Sequence, residues 1–345
     1  MVKLGAVLTP IILKRVVKLG DLRGQTLAVD AFNVLHQFLA LIRTRYGTPL
    51  MDDAGRVTSH LVGLAFRTTR LVADFHIRTV FVFDGSPPSL KRREVERRRA
   101  LREKAEEEYA AALRRGEYAE AFSKAVMTGR LTPDLVADSK RLLDLLGIPW
   151  IQAPGEGEAQ AAYIARRGDV WAVNSRDYDS LLFGAPRLVR YLTIQGREYL
   201  PSKGVSRRLE PEVIDLEAFL GHHGITREQL IDLAIIIGTD FNDGVKGVGP
   251  KTALRLVKEH GRLEDMPEEV AEKLPDDCDE IRRIYLEPEV TDDYTLEWGA
   301  LREDQLYEFL VDERSFSRRR VETVVGRMRR FHGQKRLGAW LAGAQ

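Results

Sequence analysis

Residues 153–160 read Ala153-Pro154-Gly155-Glu156-Gly157-Glu158-Ala159-Gln160. Two carboxylates stand two residues apart, where a strand-like run at 148–151 gives way to a helical run at 158–166. Glycines on both sides of Glu156 allow a tight turn. Glu158 falls where a helix would open, and its charge there favours the helix dipole. Taken alone, the stretch reads equally well as a loop with an ordinary acidic first turn. Similar clusters elsewhere in the chain decide between the two.

A β-prone run at 26–29 ends in Asp30, and Thr79-Val80-Phe81-Val82-Phe83 ends in Asp84-Gly85. Val170-Trp171-Ala172-Val173 precedes Asn174-Ser175-Arg176-Asp177-Tyr178-Asp179, again with two acids two apart. Helical apolar spacing fills 31–42, 58–73 and 135–146 between the strands. Strands alternating with helices predict an α/β fold with a mostly parallel sheet. In open sheets of that kind ligands bind at the carboxyl ends of the strands, where these acids lie. A further strand is expected at 188–192, a hairpin arm at 198–200, and helices at 216–220 and 229–237. Gly238-Thr239-Asp240-Phe241 closes the last of these helices. From 265 to 313 the chain reads as acidic and loop-rich, and after it as helical and basic.

Next to Asp240 comes Gly244-Val245-Lys246-Gly247-Val248-Gly249-Pro250-Lys251-Thr252-Ala253. A glycine-rich turn opening onto a helix N-terminus suits a phosphate. It is not a nucleotide-binding GxxxxGK[ST] loop, because Pro250 separates Gly249 from Lys251 and no strand leads into it. The helix–turn–helix setting suits a DNA backbone, against the plainer reading of an interhelix turn.

The chain has 345 residues, 44% hydrophobic and 30% charged, with a formal net charge of +1. That composition fits a folded globular chain rather than a disordered one. The total charge does not announce a nucleic-acid binder, but its distribution is uneven. Pro87-Pro88 is followed by Lys91, Arg92, Arg93, Arg97, Arg98, Arg99, Arg102 and Lys104 in a helical run nearly devoid of large apolar residues. A solvated, salt-bridged helix explains such a run; an excess of arginine over glutamate suits one that meets phosphates. Residues 87–130 break the α/β alternation and read as an insertion standing over the sheet edge. The single cysteine, Cys278, excludes an internal disulfide and a cysteine-rich zinc site. No apolar run approaches the ~20 residues of a membrane span. Residues 1–20 lack the cleavage site of a signal peptide.

Asp30, Asp84, Glu156, Glu158, Asp177, Asp179 and Asp240 all fall at or near expected strand or helix ends. Brought together, they would repel one another and resist ionisation unless cations neutralised them. An all-oxygen ligand set selects Mg²⁺ or Mn²⁺. Two such ions ~4 Å apart can activate a water and stabilise both oxygens of an in-line phosphodiester displacement. Acids alone do not fix the reaction, since phosphatases and polymerases use the same arrangement.

The motifs Val29-Asp30-Ala31, Phe83-Asp84-Gly85, the glycine-glutamate stretch through Ala162, Asp177-Tyr178-Asp179-Ser180-Leu181-Leu182, Gly238-Thr239-Asp240-Phe241 and Gly244 to Ala253 stand in an order and spacing that covers roughly the whole chain. In them the chain resembles the structure-specific flap endonucleases of the archaeal and eukaryotic replication type. The resemblance implies a mostly parallel twisted sheet with helices on both faces, a helical arch and a helix–two-turn–helix. It implies a nuclease domain over 1–333, with its core in 1–86 and 131–260, the arch in 87–130 and the helix–two-turn–helix in 225–260. A sliding-clamp-binding tail over 334–345 follows. It implies that Asp30, Asp84, Glu156 and Glu158 hold one Mg²⁺ and Asp177, Asp179 and Asp240 serve a second, with Mn²⁺ as a substitute. Lys91 and Arg98 match the arch residues that contact the scissile phosphate. Arg43, Arg67, Gly247, Gly249, Lys251 and Thr252 match further DNA contacts, with K⁺ in the helix–two-turn–helix. Gln334, Leu337, Trp340 and Leu341 look like the box that binds the sliding clamp (PCNA).

The expected activity is cleavage of 5′ flap DNA at single-strand/double-strand junctions, with 5′ exonuclease action, in Okazaki-fragment maturation and repair. The expected state is a monomer, away from membranes, in an archaeal cytoplasm, because no compact basic localisation tail follows the box. Three positions depart from the family pattern: Val2 replaces a glycine, His36 stands where a base-stacking tyrosine is usual, and Leu341 replaces the second aromatic of the box. The alternatives are a junction resolvase or processive 5′ exonuclease of the same superfamily, a non-catalytic junction binder tethered to the clamp, and a metal phosphatase. For the phosphatase, the Asp-x-Asp spacing expected after the first strand is missing from Asp30-Ala31-Phe32.

Overall fold

The structure, a computed structural model, describes residues 6–44, 47–117, 124, 129–193, 196–200 and 205–342; the side chains of 113, 196–200, 205–208 and 334–342 lie outside the description. Nine strands are described: β1 Arg15–Val16, β2 Thr26–Asp30, β3 Arg78–Phe83, β4 Trp150–Gln152, β5 Ala172–Asn174, β6 Arg187–Arg190, β7 Gly196–Leu200, β8 Val205–Leu209 and β9 Glu212–Asp215. Seven form one sheet in the order β1-β9-β6-β5-β2-β3-β4, and β7 pairs with β8 apart from it. From β6 to β4 every neighbour is parallel; β9 alone runs against its neighbours β6 and β1. From β2 the chain builds outward through β3 to β4, then returns to lay β5 on the other side of β2. The crevice of such a sheet opens where the order reverses, between β2 and β5.

The helices are α1 Ala31–Leu41, α2 Ser59–Val62, α3 Thr69–Phe75, α4 Arg92–Arg114, α5 Pro133–Leu146, α6 Gly157–Arg166, α7 Asp179–Leu182, α8 Leu216–His223, α9 Arg227–Ile237, α10 Pro250–His260, α11 Glu268–Ala271, α12 Cys278–Leu286, α13 Glu303–Tyr307 and α14 Arg318–Ala342. A π turn at Gly63–Thr68 joins α2 to α3, so the expected helix at 58–73 is continuous but not uniformly α. Alternation along the strands feeds two cores. Val80 and Val82 of β3 face a core shared with α6, α9, α10 and α12, while Phe81 and Phe83 face one shared with α1, α5, α13 and α14. Each large apolar side chain fully buried in this way contributes about 1.5–3 kcal/mol.

The fold adds two short strands to those expected and corrects one expectation. Strands β1 and β9 close one side of the sheet and carry no readable alternation, being two and four residues long. The segment expected to be loop-rich over 265–313 contains α11, α12 and α13, leaving 287–302 without regular structure. That remaining strap is tied down nonetheless: Thr291 and Gln160 exchange two hydrogen bonds (2.8 and 2.9 Å), and Gly299 N–H donates to the Gly147 carbonyl (2.9 Å). Residues 87–130, expected to form the insertion, contain one 23-residue helix, α4; most of residues 117–129 lie outside the described residues. The backbone of α14 runs on through the clamp-box positions to Ala342. The side chains of Gln334, Leu337, Trp340 and Leu341, and Val2 as a whole, lie outside the described residues. No helix among the described residues is long and apolar enough to cross a membrane.

The end of β3 meets the glycine-glutamate loop backbone to backbone. Gly85 N–H donates to the Gly155 carbonyl (2.7 Å). A Cβ on Gly85 would stand 2.2–2.3 Å from the carbonyl oxygens of Pro154 and Ala153. Gly85→Ala is expected to destabilise the protein by about 1–3 kcal/mol through overpacking, read as a lower denaturant midpoint with an unchanged m-value.

Candidate active site

Four of the acidic segments leave the same edge of the sheet. Asp30 ends β2, Asp84 follows β3, Glu156 and Glu158 follow β4, and Asp177 and Asp179 follow β5. Because these strands are parallel, their carboxyl ends must lie side by side. Asp240 arrives from a different direction, on the turn after α9. Thr239 Oγ donates to Asn242 Oδ1 (2.9 Å) and Asn242 Nδ2 donates to the Ile235 carbonyl (2.8 Å), which folds this turn back on its helix.

Backbone N–H groups aim three of these carboxylates. Asp30 is the N-cap of α1, with Oδ1 accepting from Asn33 N–H (3.0 Å), a favoured cap. Asp84 Oδ1 accepts from Gly157 N–H at the start of α6 (2.8 Å). Asp179 Oδ1 accepts from Ala6 N–H (3.1 Å). The Asp84 contact depends on glycine, since a Cβ on Gly157 would fall 2.4 Å from Asp84 Oδ1. Behind the Asp177–Asp179 turn lies Arg190, a buried guanidinium 4.3 Å from the Tyr178 ring centroid and 4.9 Å from that of Tyr191. Its Nε donates to the Arg176 carbonyl (2.8 Å).

The electrostatics show that the acids form one cluster. Burial, then the charge of Asp84, raises the Asp30 pKa well above the usual carboxylate range. Burial, then Glu156, raises Asp84 to about 6. Burial, then Asp240 and Asp177, raises Asp179 to about 8. Asp177 is raised by burial and Asp240. Glu158 is raised by burial and by Asp30, Asp179 and Asp177. Every one of the seven therefore feels at least one of the others.

Helix α4 and the turn before it supply the opposite charge. Lys91 Nζ bonds Glu156 and stands 3.5 Å from Asp240. Burial alone would lower the Lys91 pKa, but Glu156 and Asp240 more than offset it and hold the ammonium firmly charged. One Arg98 nitrogen contacts both oxygens of Asp240 at 2.8 Å, and its Nε donates to Glu94 (2.8 Å). Loss of solvent around the His36 ring, then the charges of Arg102 and Arg98, lowers its pKa to about 4, leaving a neutral imidazole at pH 7.

As placed, no three His, Cys, Asp or Glu side chains among the described residues converge to clasp a metal ion. Lys91 is bonded to Glu156, and Arg98 holds both oxygens of Asp240. The donor set itself fits hard divalent cations. It is all carboxylate oxygen, burial and mutual repulsion raise Asp30, Asp84, Glu158, Asp177 and Asp179 above the usual carboxylate range, and Glu158 Oε1 is buried with no hydrogen-bond partner.

The other expected DNA contacts lie elsewhere. Arg43 donates to the carbonyls of Ala40 (3.2 Å) and Gly47 (2.8 Å), and Arg67 donates to the Thr193 carbonyl (3.1 Å). Gly249 is the N-cap of α10, with Lys251 and Thr252 exposed in its first turn. Around Gly247 and Gly249 the space a Cβ would fill is open. Sequence reasoning did not single out Asn33, Ser175, Glu94 or Arg190. Asn33 carried one signal, a polar residue among apolar neighbours in the first turn of α1.

Residues 3–105 match the XPG N-terminal domain and residues 147–240 the XPG I-region. The flap endonuclease 1 of Ignicoccus hospitalis is 50% identical over 315 residues, which span 91% of this chain and 90% of that protein. The chain belongs to the flap endonuclease family. The solved structure of flap endonuclease-1 from Methanococcus jannaschii superposes on this flap endonuclease with a TM-score of 0.76 at 38% identity, covering 96% of this chain and all of that one (100%). The catalytic core of Rad2 in complex with DNA substrate superposes with a TM-score of 0.68 at 25% identity, covering 93% and 98%. The flap endonuclease is a DNA nuclease of a family that uses divalent metal ions, with the α/β fold expected from its sequence.

Raised carboxyl pKa values fix the sign of a pH dependence. Unfolded aspartate titrates near 3.8, whereas Asp84 and Asp179 titrate at about 6 and about 8 in the folded chain. Without divalent metal the folded state therefore holds protons that the unfolded chain releases. Its stability should fall as pH rises from about 4 through about 8. Metal binding must expel those protons, so affinity should rise from pH 6 to pH 8. Calorimetric Mn²⁺ titrations in buffers of different ionisation enthalpy measure this directly. Equal affinity at both pH values with no proton release would contradict it.

Proposed function

We propose that the flap endonuclease cuts 5′ flap DNA at single-strand/double-strand junctions with two Mg²⁺ ions at the carboxylate edge, Mn²⁺ serving in their place. The observation that carries this reading is the cluster itself: six carboxylates at one sheet edge with Asp240 beside them, five of them raised by burial and by one another, and Lys91 and Arg98 turned onto Glu156 and Asp240. Asp30, Asp84, Glu156 and Glu158 would hold one ion, and Asp177, Asp179 and Asp240 the other. The ions, when bound, supply a water activated at neutral pH and a positive charge for both oxygens of the displacement.

The protein's own residues do the rest. Asn33, Gly157 and Ala6 N–H groups keep the carboxylates aimed before DNA arrives, so little reorganisation remains for the reaction. Lys91 and Arg98 already lie against the acids and are the cations that would offset charge on the scissile phosphate. Residues 87–130 form the arch over the flap. Gly247, Gly249, Lys251 and Thr252 at the start of α10 grip the duplex backbone, with K⁺ in that turn, and Arg43 and Arg67 add further contacts. Neutral His36 stacks on a base, as aromatic rings do with single strands. Gln334, Leu337, Trp340 and Leu341 tether the monomer to the sliding clamp, in an archaeal cytoplasm. The nuclease would serve Okazaki-fragment maturation and repair.

A 5′-labelled double-flap DNA tests the reading with Mg²⁺, with EDTA, and with the flap end blocked. One short product that needs Mg²⁺ and is lost on blocking supports cutting with the flap threaded through the arch. Equal or better cutting of nicked or four-way DNA would favour the exonuclease or resolvase alternative. Binding without cleavage under every divalent metal would leave a clamp-tethered binder. Asp177→Ala should lower cleavage by about 10³-fold, several kcal/mol of lost metal catalysis, while flap DNA still binds in a gel-shift assay. Lys251→Ala should instead weaken binding of all duplex substrates alike and lower the salt slope by about 1.

A further inference from the structure

One side chain joins the two halves of the carboxylate cluster. Asn33 lies three residues after Asp30, in the first turn of α1, and its backbone N–H caps Asp30 Oδ1 (3.0 Å). Its side-chain Nδ2 donates to Asp177 Oδ2 (2.7 Å). Its Oδ1 accepts from Arg176 N–H (3.2 Å) and from Gln37 Nε2. The amide has only one workable orientation. A backbone N–H can only donate and an ionised carboxylate can only accept, so a flipped amide would set like against like on both sides. Ser175 makes the companion link, donating to Asp30 Oδ2 (3.2 Å) and accepting from Asp177 N–H (3.2 Å).

Backbone pairing does not do this work. The β2–β5 ladder ends at Val29↔Asn174, three residues short of Asp177. Beyond that point nothing in the ladder fixes where the Asp177 carboxylate aims. Asn33 does, and it is anchored on the same helical turn that Asp30 caps. The buried Gln37, one turn along α1, braces the amide from behind.

We propose that Asn33 is a positioning residue that couples the two metal sites, holding Asp177 of one in register with Asp30 of the other. The inference rests on the metal assignment proposed above. Groups that orient metal ligands from behind typically change metal affinity or activity by about 10–100-fold when lost.

The test is Mn²⁺ binding to the DNA-free protein, followed by electron paramagnetic resonance and calorimetry, for wild type, Asn33→Leu, Asp177→Asn and the double variant. Asn33→Leu keeps the side-chain volume and removes the donor. It should weaken one of two Mn²⁺ sites by about 10–100-fold and leave the other unchanged. Its kcat should fall at fixed Mn²⁺ with KM for flap DNA unchanged, and added Mn²⁺ should restore kcat. If Asn33 acts through Asp177, adding Asn33→Leu to Asp177→Asn should cost little more, whereas a merely structural role would give additive losses. Should Asn33→Leu fail to fold, Asn33→Ala serves the same comparison. Wild-type Mn²⁺ affinities in the variant, or additive losses, would overturn the role of Asn33 alone. A wild-type protein that binds fewer than two Mn²⁺ ions would overturn the metal assignment and this inference with it.

Discussion

Carboxylates held together out of water repel one another, and much of the carboxyl edge of this sheet is arranged against that repulsion. Backbone N–H groups from Asn33, Gly157 and Ala6 each take one oxygen. Asn33 and Ser175 take two more. Lys91 and Arg98 bring full positive charge down from the arch. The raised pKa values of Asp30, Asp84, Glu158, Asp177 and Asp179 show that these measures fall short of neutrality. A site built this way has a standing demand for cations, and the arch and divalent ions are alternative ways to meet it.

The sheet makes the crowding unavoidable. Parallel strands bring their carboxyl ends together, and β2, β3, β4 and β5 each end in acid or are followed by it within a few residues. The reversal of strand order at β2 places Asp30 between Asp84 on one side and the Asp177–Asp179 turn on the other. Helix starts follow at once: Asp30 caps α1, and Glu156 immediately precedes α6. Partial positive charge at the helix N-termini therefore faces the cluster. Glycine at 157 then lets the start of α6 approach Asp84 closely enough to donate.

Those parts of the molecule governed by local pattern were legible in the sequence. Apolar runs ending in Asp30 and Asp84 announced parallel strands because strand, acid and helix succeed one another within a few residues. The Glu156 and Asp177 segments followed the same grammar. Asp240 did not, since it follows a helix and reaches the cluster only through tertiary packing. Strands β1 and β9 are too short to show a period, and their pairing is long-range. The seat of Lys91 against Glu156 was also hidden, because a basic helix looks the same whether it faces water, DNA or carboxylates. Asn33 shows the limit most plainly. Its partner Asp177 lies far along the chain, and only the fold places the two side by side.

The N-terminal segment makes one more point about this topology. Arg15 of β1 pairs with Val213 of β9, and Ala6 N–H donates to Asp179. The earliest residues to leave the ribosome thus have no partners until most of the chain has followed. Contacts so distant in sequence form late, because the loop between them must close first. Asp30 likewise waits for Ser175, and Asp177 for Asp240. A growing chain therefore carries only fragments of the cluster until Asp240, the last of its members in sequence, has been made.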